Sequence, residues 1–193
     1  MARTAKAAKR EFGISVGAGR SFFGKPGIPC LSILQPWAYA IWPGPKRIEN
    51  RSWGVGFTGP LLLHSGLGAS KKADRDTADV RAWFAENLPD FVLPPREDLP
   101  RGVIFAAAWV GGACRNRFEA IGRAMSTPEE QLRFCDTNEG TVYWPLRHVV
   151  GLAIPIKWRG ERQIFRVPSA VVADQLSEWP CWGEALAAER SCR

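Results

Sequence analysis

Four ionisable side chains, Lys46, Arg47, Glu49 and Arg51, crowd into six residues of this chain, with Trp53 close behind. On an extended segment, period-2 alternation puts Glu49, Arg51 and Trp53 on one face and Ile48 on the other. Cations in such a row neutralise phosphates and release counterions. An exposed indole, Trp37 or Trp53, stacks a base with a gain of roughly 1–3 kcal/mol. Glu49 can accept from a cytosine amino group or hold Arg51 in place. The same set could also do hydrolysis. Lys46 can act near neutral pH only if burial or neighbouring cations lower its pKa. Arg47 and Arg51 push that way; Glu49 pushes back. Alternatively, Glu49 is a general base for an attacking water, Lys46 steadies the oxyanion, and His64 joins from the next strand. Each residue also has a plainer role. The charges can be a solvated strand face, Trp37 and Trp53 core, Arg51 a structural partner of Glu49, Gln35 a helix cap, and His64 a satisfied interior histidine.

Short elements must hold these groups. Cys30 to Leu34 is apolar and β-prone, and it leads into a short helix, Trp37 to Trp42, opened by Gln35-Pro36. Pro43-Gly44-Pro45 stops that helix. Lys46 to Trp53 and Pro60 to Ser65 read as the next strands. Val80, Trp83, Phe84 and Leu88 recur at helical spacing within Ser70 to Leu88. Gly102 to Val110 reads as a buried strand. Thr127-Pro128-Glu129-Glu130 has the form of a capping box, predicting a helix to about Phe134. Val142 to Trp144, Val149 to Ile156 and Gln163 to Val167 read as three more strands. A last helix runs from Pro168-Ser169 to about Leu176, with Trp179 and Trp182 packing back behind it. Many short strands with inserted and flanking helices predict an α+β small β-barrel, not a wound βαβ sheet.

Composition narrows the function classes. The 193 residues are 46% hydrophobic and 23% charged, as in a globular protein with a core. No apolar run is long enough for a membrane span, and no apolar segment of the secretory kind follows the basic start. Of the net +7, most lies at the beginning, where six Lys and Arg precede Pro29 against Glu11 alone. Residues 1–28 therefore read as a basic flexible arm, 29–168 as the domain, and 169–193 as a helix and tail. Five cysteines without a C-x-x-C pair, and only two histidines, His64 and His148, argue against a disulfide framework or a zinc centre. The expected compartment is the cytoplasm, and no cofactor motif is present.

The segment from Cys30 to Ala38 (CLSILQPWA) resembles the opening of the ASCH domain, the activating signal cointegrator homology domain. Gly44 to Trp53 (GPKRIENRSW) is similar to its signature, roughly G-x-K-x-x-E-x-R-(S)-W. Gly59 to His64, Pro100 to Ile104 and Ile154 to Lys157 resemble its later blocks, so the likeness runs from about Pro29 to Pro168. Ala106 or Ala107 stands where the family usually has Gly, and the turn from Pro155 to Gly160 is longer. The resemblance implies a PUA-like β-barrel with a cleft beside Lys46, Glu49 and Arg51. It also implies an RNA-related role, with Gln35, Trp37, Lys46, Arg47, Glu49, Arg51, Trp53 and His64 as binding residues. Some relatives resemble ribonucleases, and others are amidohydrolases of N4-acetylcytidine. In the amidohydrolases a lysine matching Lys46 is reactive, and Thr replaces Glu49. The alternatives for this chain are thus a binding module for RNA, single-stranded DNA or a modified nucleoside, and a hydrolase of N4-acylcytidine or RNA with Lys46 and Glu49 catalytic.

Overall fold

The computed structural model describes residues 26–68 and 78–190. Most of the basic arm and the first part of the Ser70 to Leu88 segment lie outside them. The described residues form a mixed α+β fold: β1 (Ile28–Ile33), α1 (Trp37–Ile41), β2 (Ile48–Arg51), β3 (Gly59–Ser65), α2 (Ala78–Asn87), β4 (Val103–Val110), α3 (Arg117–Ala124), α4 (Pro128–Leu132), β5 (Val142–Lys157), β6 (Ile164–Val167), α5 (Ala173–Leu176) and α6 (Trp182–Arg190). Six strands make one sheet in the order β2-β5-β4-β3-β1-β6. Only the β1–β3 pair is parallel. The sheet is open: among the described residues no ladder joins its edges, β2 and β6.

It is nevertheless strongly curled. In a flat sheet β2 would lie four strand spacings from β1, roughly 19 Å away. Instead Arg51 on β2 donates Nη2–H to the Ser32 carbonyl on β1 at 2.8 Å. The β1–β6 ladder stops at Leu31, one residue before that carbonyl. The concave face holds the larger core, where Leu31, Ile33, Leu61, Leu63, Ala108 and Leu146 surround a fully buried Trp144. The opposite face, with Ile28, Cys30, Leu62 and Val167, is covered by the C-terminal segment through Leu176, Trp179 and Ala185. β3 is buried on both sides, which is why it runs apolar from Pro60 to Leu63 without alternation.

Several elements differ from the sequence reading. The two strands expected within 142–156 are one continuous β5, bulged opposite Phe105, where Ala106 pairs with Gly151 and Ile104 with Ile156. The side chain of Gln175 seals that bulge, accepting from Ile154 N–H (2.8 Å) and donating to Ile154 C=O (2.9 Å). Helix α3 was not foreseen; Asn116 caps it by accepting from the Phe118 and Glu119 amides. The capping box at Thr127 does not form: Pro128 sits at the helix start as expected, but the Thr127 side chain makes no cap bond, and α4 ends at Leu132. The last helix splits into a 3₁₀ turn, Ser169–Val171, and α5. Trp179 does pack back, donating Nε1–H to the His148 carbonyl at 2.9 Å. Among the described residues, no helix is long and apolar enough to cross a membrane.

Candidate functional site

The turn after α1 sets the position of Lys46. Its backbone N–H donates to the Ala40 carbonyl (2.9 Å), and Gly44 N–H donates to Tyr39 C=O (3.1 Å). A Cβ on Gly44 would stand 2.4 Å from that same Ala40 oxygen. The clash is with backbone, so no side chain can relieve it. We therefore predict that Gly44→Ala costs about 1–3 kcal/mol and displaces Lys46. Chemical denaturation and the oligonucleotide titration described below check both effects. A fully stable variant with native affinity would contradict this placement.

β2 then forms as an edge strand on β5, with Glu49 opposite Trp144 and Arg51 opposite Val142. Glu49 and Arg51 share a face, as period 2 predicts. Lys46 Nζ lies 2.8 Å from Glu49 Oε2 and also donates to the Ile48 carbonyl, while Arg51 Nε lies 2.9 Å from Glu49 Oε1. Lys46 is 2% exposed and Glu49 5%. The result is a cation–carboxylate–cation row with one net positive charge, buried at Lys46 and Glu49 and partly exposed at Arg51. Burial pulls the Lys46 ammonium below its ordinary value, against the opposing pull of Glu49. Burial alone would raise Glu49, but Lys46 and Arg51 outweigh it and hold the carboxyl below its usual value. Each Glu49 oxygen thus faces a cation, which suits a fixed counter-ion better than a general base.

The row lies in a cavity of about 520 Å³ that also takes in Trp37, Trp83, Phe134, Arg133 and Asp136. Trp37 and Trp83 meet edge to face at 5.7 Å between ring centres. One wall is the 133–136 segment, tied back to β2 and the turn before it by two amides. Asn50 donates to Phe134 C=O (2.6 Å) and accepts from Asp136 N–H (3.2 Å). Gln131, 1% exposed, accepts from Arg47 N–H (2.7 Å) and donates to Pro45 C=O (2.9 Å). Cys135 also lines the cavity, but burial pushes its thiol above the ordinary value, so it is a poor nucleophile.

Of the residues singled out from sequence, Trp37, Lys46, Glu49 and Arg51 come together here. The others do not line the cavity. Arg47 turns its guanidinium onto the carbonyls of Ile41, Gly44 and Lys46, stapling the turn. Gln35 is buried, accepting from Tyr39 N–H (3.0 Å) and donating to Pro100 C=O (2.8 Å). Trp53 lies past the end of β2, where the alternation no longer applies, and packs edge-on against Trp144 at 4.7 Å. His64 sits on the other face of the sheet. A carbonyl can only accept, so His64 Nε2–H donates to Trp158 C=O (3.0 Å) and Nδ1 accepts from the Ser32 hydroxyl (3.0 Å). Burial keeps its pKa below the ordinary value. Trp83, Asn50 and the 133–136 wall were missed; Asn50 lay within the signature segment, whereas the wall carried no motif. Among the described residues no cluster of His, Cys, Asp and Glu could hold a metal ion. No family model matches the chain, and no curated protein matches it.

Proposed function

We propose that the chain is an RNA-binding module of the ASCH type, receiving one unpaired nucleotide in the cavity beside Lys46, Glu49 and Arg51. The observation that carries this reading is the convergence of three charged signature residues with two indoles, Trp37 and Trp83, on one nucleotide-sized space. Unpaired bases can be splayed into such a space, whereas paired ones cannot. The cations supply the salt-sensitive part of binding and the indoles the stacking. The Arg51 bridge from β2 to β1 supports a PUA-like, near-closed sheet, with the cavity beside the bridge. A hydrolytic role for Lys46 and Glu49 draws less support, because both carboxylate oxygens are already engaged by cations.

The test is fluorescence anisotropy of a labelled single-stranded RNA at two salt concentrations. We expect affinity to fall as salt rises. Arg51→Ala should weaken binding roughly tenfold, the loss of one charged contact and of the group bridging β2 to β1, with an unchanged circular dichroism spectrum. Native affinity in that variant, or no binding by the wild type, overturns the reading.

A further inference from the structure

We infer that the cavity prefers bases whose buried edge carries oxo groups, as in uracil and hypoxanthine, over their amino counterparts, cytosine and adenine. This deepens the nucleotide-binding reading above and rests on it. The reason is which hydrogen-bonding groups at the cavity floor are still open.

Lys46 Nζ donates to Ile48 C=O and Glu49 Oε2, leaving one N–H. Arg51 sends one Nη2 hydrogen to Ser32 C=O; its Nε lies 2.9 Å from Glu49 Oε1 without hydrogen-bond geometry, and its Nη1 has no partner among the described residues. Asn50 could read an amino or an oxo group, but both ends of its amide are bound within the wall. Glu49 is the only carboxylate in the row, and a cation holds each of its oxygens. Asp136 is exposed, and its Oδ1 accepts from Asn138 N–H at 3.0 Å. What remains open on the Lys46–Glu49–Arg51 row is therefore N–H on its two cations, while Asp136 stands on the exposed wall.

An oxo group accepts from such donors. An exocyclic amino group in the same place would turn its own hydrogens toward them. A matched set of base-edge contacts gives discrimination of roughly 10–100-fold against the mismatched base. The same logic argues against Glu49 as a reader of the cytosine amino group.

The experiment is a titration of the full chain with hexaribonucleotides, followed by tryptophan fluorescence, since Trp37 and Trp83 line the cavity. U6 and hexainosine should bind roughly 10–100-fold more tightly than C6 and A6. Arg51→Met should shrink the U6-to-C6 ratio, and Lys46→Met provides the same check should the first variant fold poorly. Equal affinity for all four oligomers, or tighter binding of C6 and A6, overturns the oxo preference and leaves the nucleotide reading standing. Binding of no hexamer overturns both.

Discussion

Glu49→Ala is expected to lower the unfolding free energy by about 3–5 kcal/mol, because it leaves the buried Lys46 ammonium without its counter-ion. Lys46 is almost wholly enclosed, and among the described residues its only acidic contact is Glu49 Oε2. Urea denaturation at neutral pH measures the loss. A change below about 1 kcal/mol, typical of exposed pairs, would mean that water reaches the row. Replacing all three charges together, as Lys46→Met, Glu49→Leu and Arg51→Met, should recover much of the stability, since a buried ion row often does no better than an apolar one. That triple variant should lose RNA binding nonetheless. The pH dependence follows from the same geometry. Lys46 and Arg51 hold the folded carboxyl of Glu49 below its ordinary value despite burial. Between the folded and unfolded values the unfolded chain binds more protons, so stability rises with pH there. The contribution of Glu49 is complete above the ordinary carboxylate range and is lost as pH falls through the depressed value.

The second large effect is expected from Phe84→Ala, at about 3–5 kcal/mol. Phe84 is 1% exposed, with ring centres 5.2 Å from Trp83, 5.4 Å from Trp37 and 5.8 Å from Phe91. It packs α2 onto Trp37 and Phe91, and α2 supplies Val80 and Trp83 to the cavity. The loss should fall on α2 before the sheet. Hydrogen exchange should show collapsed protection over Ala78–Asn87 with β3 and β4 still protected, and RNA affinity should drop with the missing wall. Undiminished protection in α2 would place its anchorage elsewhere.

What could be read from the chain depended on how local the determining contacts are. β1, β3 and β4 are apolar runs bounded by Gly and Pro, and they appear where expected. The unity of β5 was hidden by Pro145, which looks like an interruption after Trp144. Gly151, within the second expected strand, is where Trp42 crosses β5, since a Cβ there would lie 1.8 Å from its indole nitrogen. The Lys46–Glu49–Arg51 row was legible because its spacing is set by one turn and one strand. Arg47 was misplaced because its partners are backbone carbonyls, which leave no trace in residue type. The wall from Arg133 to Asp136 was invisible for the opposite reason. Asn50 and Gln131 attach it to β2 and the preceding turn across 84 to 86 residues of chain, and no local pattern encodes a contact of that span.

Among the described residues β2 has a single neighbour in the sheet, β5, and its Ile48 pairs with Pro145 almost a hundred positions downstream. At ordinary translation speeds a ribosome needs on the order of ten seconds to cover that distance. During that time the nascent segment holding Lys46, Glu49 and Arg51 has no strand to lie against, although β1, β3 and β4 can already assemble. The receptor is therefore completed late in synthesis, and a product truncated before Val142 would have a partial sheet and no site to offer.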